Sequence, residues 1–432
     1  MAPTADSNAS SRPVPPQLAL TPHHHGAASP VSSSDGGQLT AAGPPRTTVT
    51  HPTPTTTVTT TVTHPTPTTT VTTVTGSTLS ATGPGSAVPL LRRVSTTTTT
   101  PAVRHLPTPP SPTTPAPTTP PATTAPTTPT VSSGSLLEGS YDGAADPANI
   151  AGFDATTGTH SVIASDYLPS TSGWTGMDGA GGSLAWLTNP WEGKGYTLSL
   201  GVPMIPSNSA GVAQGSLAAG ATGAYNSYFV TLAQTLVAAG LGNTYLRPGW
   251  EFDGNWYPSW DADTPTLEAQ YAAYFDQIVT AMRSVAGEKF QFVWNPDAAA
   301  FTESGYNVAL AYPGNAYVNV IGLDAYDESW LSPLTPTNAW NNTTAPALNA
   351  AHAFAAAQGK PLAFCEWGIA FLSDGAGLGD DPLYINNMAA FMKNPANDVA
   401  YESYFNYDGT SDSILTSGRT PNSLAAFKAD FG

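Results

Sequence analysis

From residue 135 onward, short apolar runs alternate with stretches whose apolar positions recur at helical spacing. Runs of this length bounded by Gly, Pro and Asn indicate buried strands, and the longer periodic stretches indicate helices. The pattern predicts eight strands, at Leu136–Gly139, Ser161–Ala164, Tyr196–Met204, Thr244–Glu251, Phe290–Asn295, Val318–Tyr326, Leu362–Glu366 and Tyr401–Asn406. The clearest predicted helices are Ala224–Ala239, Thr266–Val285, Ala345–Gln358, Pro382–Lys393 and Asn422–Asp430.

Eight strands that alternate with helices over about 300 residues predict an α/β protein with a (β/α)8 TIM barrel. Helix starts are marked by polar cap residues followed by proline, as in Asp263-Thr264-Pro265. The main alternative is a doubly wound sheet. It is disfavoured because no glycine-rich phosphate turn follows the first predicted strand.

Residues 1–134 have a different composition and contain no Trp, Tyr or Phe, whereas all 10 Trp, 17 Tyr and 14 Phe lie further along. This segment consists largely of Thr, Pro and Ser, and a His-Pro-Thr-Pro motif recurs at residues 51 and 64. Such a chain buries too little apolar area to offset its conformational entropy. We therefore expect a disordered stalk or inert linker at 1–134 and one catalytic barrel at 135–432.

Charge is distributed unevenly as well. Of 13 Lys and Arg, five precede residue 135, and of 30 Asp and Glu only two do, so the predicted barrel holds 8 basic and 28 acidic residues. Such a surface repels phosphate backbones, which excludes nucleic acid as a partner. Low charge density with many Gly, Asn, Thr and Trp is typical of secreted proteins that act on neutral polymers.

Cys365 is the only cysteine, and the predicted barrel has two histidines, His160 and His352. No disulfide or Cys-based metal site can form, and we predict no metal and no cofactor. No apolar run reaches the roughly 18 residues of a membrane span. The first 30 residues lack the apolar core of a signal peptide. We nevertheless expect an extracellular or cell-surface monomer.

Two carboxylates stand where predicted strands of the barrel end, and this is the edge at which TIM barrels carry their chemistry. Glu251 closes the fourth predicted strand and Glu366 the seventh. A pair of carboxyls about 5–5.5 Å apart performs retaining glycoside hydrolysis, one as acid/base and the other as nucleophile. Strand alternation would place Arg247 on the same face as Glu251. Arg247 then either tunes the two carboxylates or forms a structural ion pair with Glu251.

These motifs resemble clan A glycoside hydrolases, whose acid/base and nucleophile lie on strands four and seven. Within the clan, the chain most resembles glycoside hydrolase family 26, typified by endo-β-1,4-mannanases. The resemblance rests on Arg247, Glu251, Gly254 and Trp256, on residues 293–296 and on residues 312–326. The chain departs from the family pattern at Trp250, where the family has His, at Asp253, where it has Asn, and at Trp367.

Aromatic residues are concentrated at or after the predicted strand ends. Because sugar rings stack their C–H faces on indoles, such residues suit a polysaccharide cleft, although any one of them can instead pack in the core. The predicted substrate contacts are Arg247, Trp250, Trp256, Trp294, Tyr326 and Trp367. Cys365 precedes Glu366 in a strand, so we expect its side chain on the opposite face, as a small buried hydrophobe.

The resemblance implies a retaining, endo-acting β-glycan hydrolase with a polysaccharide substrate, β-mannan first, with Glu251 as acid/base and Glu366 as nucleophile. One alternative is another clan A β-glycanase acting on a glucan, a xylan or a cell-envelope polysaccharide. A second is a surface barrel that binds glycans without turnover. The presence of both carboxylates and Arg247 disfavours a pure binder, since binding does not need a matched acid and nucleophile.

Overall fold

The computed structural model describes residues 136–432 except Pro258 and Thr410. The predicted disordered segment at 1–134 lies outside the described residues. Within the described part of the chain, no helix is both long and apolar enough to cross a membrane.

Eight parallel strands close into a barrel in chain order, with the first strand paired to the last. The strands are β1 Gly139–Tyr141, β2 Ile163–Tyr167, β3 Thr197–Val202, β4 Tyr245–Pro248, β5 Gln291–Trp294, β6 Val320–Asp327, β7 Leu362–Ile369 and β8 Val399–Phe405. The predicted (β/α)8 barrel is therefore confirmed, and every predicted strand overlaps an observed one.

Helices follow the strands and form the outer layer of the barrel. They are α1 Pro147–Thr157, α2 Gly173–Met177, α3 Ala185–Trp191, α4 Leu217–Ala221, α5 Asn226–Ala238, α6 Pro265–Arg283, α7 Val308–Ala311, α8 Pro336–Ala339, α9 Ala345–Gln358, α10 Pro382–Met392 and α11 Pro421–Phe431. A π-helical turn, Trp340–Thr344, joins α8 to α9, and short 3-10 turns lie at Ala180–Gly182, Ala298–Phe301, Pro395–Asn397 and Leu415–Ser417.

All five predicted helices are present within a few residues of their expected ends. The helices of the first quarter of the barrel were not predicted, because they are short or bury few residues. Helix α1, for example, buries only Ile150, Phe153 and Thr157. It is specified at its start instead, where Asp146 accepts hydrogen bonds from two backbone amides and Pro147 occupies the first turn.

The barrel interior is filled from several strands at once. Ile163, Tyr245, Val293, Val320, Ala363, Cys365 and Tyr401 form a buried cluster that draws on six strands. Residues from six different strands meet only inside the closed sheet, so these side chains point inward. The larger core lies between the outer face of the sheet and the helices.

A β-bulge interrupts β7. Leu323 and Asp324 of β6 pair with Phe364 and Glu366, so Cys365 has no opposite residue. An extra residue of this kind breaks the alternation of side chains. The expectation that Cys365 faces away from Glu366 is therefore wrong, since both point into the barrel. Gly322 makes the space, because a Cβ atom there would lie 2.7 Å from the Cys365 Sγ atom.

Candidate active site

Strand β4 brings Arg247 into the barrel, but it ends at Pro248, three residues before Glu251. The expectation that strand alternation orients Glu251 is therefore wrong. Glu251 lies in a turn with a φ of 49°, in the left-handed region that non-glycine residues rarely adopt. Its backbone N–H donates to the Asn295 carbonyl at 2.8 Å, which ties this turn to the end of β5. Strained backbone of this kind concentrates at functional sites.

Gly249 allows the chain to leave β4 in this way. Its φ is 61°, and a Cβ atom at this position would lie 2.5 Å from the Met204 Sδ atom. The Tyr271 hydroxyl donates to the Pro248 and Gly249 carbonyls at 3.2 and 3.1 Å. The segment that carries Glu251 is thus held by packing and hydrogen bonds rather than by the sheet.

The Glu366 carboxylate receives three charge-stabilising donors. The Tyr167 hydroxyl donates to Oε1 at 2.6 Å, the Tyr326 hydroxyl donates to Oε2 at 2.9 Å, and the Arg247 Nη1 atom lies 3.1 Å from Oε1. All of these partners come from the inner wall, from strands β2, β6 and β4. A carboxylate with several donors is stabilised in its charged form.

Arg247 therefore pairs with Glu366 and not with Glu251, which settles the alternative left open above. Its side chain is fully buried, lies over the Tyr167 ring at 4.8 Å and also donates to the Asn295 Oδ1 atom at 3.2 Å. Removing one partner of a buried ion pair leaves an uncompensated charge. Arg247 and Glu366 thus depend on each other inside the barrel.

Glu251 has a different environment. Its Oε2 atom accepts a hydrogen bond from the Trp256 indole at 2.7 Å. Burial raises the pKa of Glu251 well above its usual value, and the charges of Glu366, Asp324 and Asp297 raise it further. The Trp256 hydrogen bond opposes this shift in the pKa. Glu251 consequently holds a proton at a pH where an exposed glutamate has lost it.

A third carboxyl, Asp324, completes the group. It lies beside Glu366 in the sheet and is fully buried, with the Asn295 side chain close to its carboxyl group. Burial raises the pKa of Asp324 well above its usual value, the Glu366 charge adds to this, and the Arg247 charge opposes it.

Glu251, Asp324 and Glu366 each offer an oxygen, and these three atoms all lie within 4.8 Å of one another. Among the described residues, these three carboxyls form the group whose oxygens could bind a cation. However, the Arg247 guanidinium already supplies one positive charge, and the raised pKa values of Glu251 and Asp324 favour protons there. The arrangement suits proton transfer by Glu251 beside a carboxyl group that is paired with Arg247.

Three of the six predicted substrate contacts touch the two glutamates, and the other three are buried aromatic residues. Trp256 and Tyr326 hydrogen-bond to the two glutamates, and Arg247 pairs with one of them. Trp250 is fully buried behind Tyr167, with the two rings 5.6 Å apart, and supports the site rather than lining it.

The structure places the Trp294 and Trp367 side chains on the outer side of the barrel wall. Trp294 packs against Phe301, Tyr312 and Phe354, and Trp367 packs against Phe427 and donates to Glu402. Both indoles are fully buried in the layer between sheet and helices. Because Glu366 points inward, its neighbour Trp367 points outward. These two residues are therefore core residues in this structure, and neither lines the cleft.

Sequence reasoning missed Tyr167 and Asn295 as members of the site. The second strand was predicted to end at Ala164, whereas β2 extends to Tyr167. Had the predicted strand continued for three more residues, Tyr167 would have stood at the mouth of the barrel. Asn295 directly follows β5, where its amide bridges the Arg247 side chain and the Pro296 carbonyl.

Comparison with known proteins gives a match to a family model and a match to a curated protein. Residues 231–361 match the model of glycosyl hydrolase family 26. A mannan endo-1,4-beta-mannosidase of Bifidobacterium adolescentis is 25% identical over 191 residues, which is 43% of this chain and 19% of that protein. The match thus spans about a fifth of the length of this curated relative.

Solved structures are similar to this chain at low sequence identity. A modular endo-beta-1,4-mannanase from Cellulomonas fimi is 19% identical, with a TM-score of 0.49 over 68% of this chain and 70% of its own. The catalytic domain of a Bacillus sp. JAMB-750 endo-beta-1,4-mannanase is 15% identical, with a TM-score of 0.49 over 69% and 85%. The protein GH26C from Muricauda sp. MAR_2010_75 is 16% identical, with a TM-score of 0.49 over 69% and 86%.

The matched segment contains Glu251, Asp324 and Tyr326 and ends before Glu366. The resemblance to glycosyl hydrolase family 26 predicted from the sequence is thereby confirmed, and the part of the barrel from α5 to the residue before β7 carries it.

Proposed function

We propose that this protein is a retaining, endo-acting glycoside hydrolase of β-linked glycans, with Glu251 as acid/base and Glu366 as nucleophile. The observation that carries the proposal is the closeness of two carboxyls with opposite environments. Their nearest oxygens lie within 4.8 Å of each other. A separation below this bound is closer to the roughly 5–5.5 Å between the carboxyls of retaining enzymes than to the roughly 6.5–9.5 Å of inverting enzymes, which leave room for a water.

In the first step, a Glu366 oxygen attacks the anomeric carbon while the bond to the leaving oxygen breaks. Glu251 gives its proton to that oxygen, and a glycosyl ester of Glu366 results. The two tyrosine hydroxyls and Arg247 orient the carboxylate before attack. Such positioned donors require little reorganisation during the reaction.

In the second step, Glu251 removes a proton from water, which attacks the same carbon and releases Glu366. The switch from acid to base follows from the electrostatics. Part of the upward shift in the pKa of Glu251 comes from the charge of Glu366. Esterification removes that charge, so the pKa of Glu251 falls and the carboxylate becomes available as a base.

The substrate we propose is β-mannan, because a curated relative and two of the structural neighbours above are named as mannanases. The charge of the site fits a neutral polymer, since Glu251, Asp324 and Glu366 face one guanidinium. Trp250 and Asp253 differ from the family pattern, so another neutral β-glycan is the second candidate. Because polymers of this kind do not enter cells, we place the enzyme outside the cell or at its surface.

The test is a reducing-sugar assay of the full chain on β-mannan, β-glucan and xylan, with product anomers followed by NMR. Retained configuration is expected. Glu366→Gln should reduce turnover by several orders of magnitude while the variant still binds polysaccharide. Glu402→Gln is the matched control, because it alters a buried carboxyl on the neighbouring strand that faces the helix layer. Inverted products, or equal losses in both variants at equal folding, would contradict the proposal.

Glu251→Ala separates acid catalysis from a structural role. It should slow cleavage of the polysaccharide by about 10²–10⁴-fold. It should spare the first step on an aryl glycoside whose phenol leaves without a proton. Azide should then accelerate the second step, because a small anion fits the space of the lost carboxylate and needs no base. If poor and good leaving groups are slowed equally, Glu251 is not the acid.

A further inference from the structure

Two large apolar side chains are exposed next to each other on the catalytic face. Trp330 and Leu331 are each 39% exposed and follow the end of β6 at Asp327. Tyr326, whose hydroxyl donates to Glu366, lies four residues before Trp330. Four residues span at most about 14 Å between Cα atoms, so Trp330 lies on the same part of the barrel rim as the tyrosine that contacts the nucleophile.

Trp330 is held in place by the loop that follows β7. Its indole N–H donates to the Asp374 Oδ2 atom at 3.2 Å, and the Asp374 Oδ1 atom accepts from the Ala376 N–H at 3.0 Å. The backbone joins the two loops as well, because the Ser329 N–H donates to the Ala376 carbonyl at 2.9 Å. The indole is thus fixed by its polar edge, while a large part of its surface faces water.

Single exposed hydrophobic residues are ordinary on protein surfaces, and exposure alone says little. Trp186 is an example, being 42% exposed near the start of the outer helix α3. Trp330 differs in two respects. It stands where the strands of the barrel deliver the catalytic pair, and a side chain of another loop fixes its orientation. An indole of this kind presents an apolar face to a ligand that has C–H faces and polar edges.

We infer that Trp330 is a stacking platform for a sugar of the polysaccharide beyond those at the scissile bond, and that Asp374 is its positioning residue. The inference rests on the proposed function, since it names a further binding position for the same polymer. A remote contact of this kind binds the ground state and the transition state equally. It therefore lowers KM for long substrates without changing kcat.

The experiment compares four variants of the full chain, Trp330→Ala, Asp374→Ala, Asp374→Asn and Trp186→Ala. On β-mannan, Trp330→Ala should raise KM about tenfold with kcat unchanged. On an aryl glycoside too short to reach the platform, it should change neither constant. Asp374→Ala should raise KM less, and Asp374→Asn should restore it, because an amide oxygen still accepts the indole N–H.

Trp186→Ala removes an equally exposed indole elsewhere and should leave KM unchanged on both substrates. If Trp330→Ala behaves like Trp186→Ala, or if it impairs the aryl glycoside equally, the platform is refuted. Affinity electrophoresis in mannan gels separates this result from failure of the proposed function. A wild-type protein that binds mannan without cleaving it refutes the proposed function alone. In that case the platform requires that Trp330→Ala migrate faster than the wild type through the mannan gel. A wild-type protein that neither binds nor cleaves any β-glycan overturns both.

Discussion

The hydrogen bond from Trp256 to Glu251 gives a direct test of the acid/base assignment. Trp256→Phe removes the indole N–H that lies 2.7 Å from the Glu251 Oε2 atom and keeps an aromatic ring in its place. That hydrogen bond lowers the pKa of Glu251 against burial and the neighbouring carboxylates. Its loss should therefore raise the pKa further, because the charged form loses a donor while the neutral form loses less.

The strength of the hydrogen bond from Trp256 determines the size of the pKa shift. A hydrogen bond to a charged group contributes about 1.5–3 kcal/mol, and one pKa unit corresponds to about 1.36 kcal/mol. Trp256 is 9% exposed, so water can replace part of the lost bond. We expect the pKa of Glu251 to rise by about one unit. Since the acid must be protonated in the free enzyme, the basic limb of kcat/KM moves to higher pH by that amount.

The assay is the pH dependence of kcat/KM on β-mannan, where the leaving group needs a proton. Trp260→Phe is the matched control, because Trp260 lies in the neighbouring aromatic group but donates to the Trp250 carbonyl at 2.9 Å and not to a carboxylate. Its basic limb should coincide with that of the wild type. A basic limb that stays in place or moves to lower pH in Trp256→Phe would refute the reasoning.

Three further outcomes are expected. Trp367→Phe should lower the free energy of unfolding by about 1–3 kcal/mol and leave KM unchanged, because the indole packs in the helix layer. An altered KM at unchanged stability would place Trp367 in the cleft. Burial raises the pKa of Asp142 to about 7, of Asp166 to about 6 and of Glu402 to about 8, so the folded form binds more protons than the unfolded chain between about pH 4 and pH 8. The Tm should therefore fall as pH rises through this range, and calorimetry that shows a rising Tm would contradict this. Deleting residues 1–130 should change neither the Tm nor turnover, because the segment has no aromatic residues to pack on the barrel; a Tm lower by several degrees would show that it does.

Much of the architecture can be predicted from local sequence alone. Each strand is a short apolar run, and its turn residues are adjacent in the chain, so eight strands and their order follow without knowledge of any contact. Because all strands of a parallel barrel end on one face, the position of Glu251 after β4 and of Glu366 in β7 suffices to bring them together. The resemblance at strands four and six likewise depends on residues that are close in sequence.

The orientation of individual side chains was decided only by the tertiary structure. Alternation predicts inward and outward faces only while a strand continues without irregularity. Strand β4 ends before Glu251, and the bulge at Cys365 turns two successive residues of β7 inward. A bulge arises from the register of both neighbouring strands, which is a property of distant segments. For the same reason the partner of Arg247, which is Glu366 rather than Glu251, could not be read from their spacing.

The environments of the two glutamates also arise from the tertiary structure. Glu366 receives its donors from residues 40 to 199 positions away, and Glu251 owes its raised pKa to burial and to carboxylates on other strands. Chemical type is a local property of the sequence, so the presence of two carboxyls at strand ends was predictable. Desolvation and charge coupling depend on what surrounds a group in space. The sequence therefore determined that two carboxyls reach the mouth of the barrel, and the closed sheet decided that the pKa of Glu251 is raised.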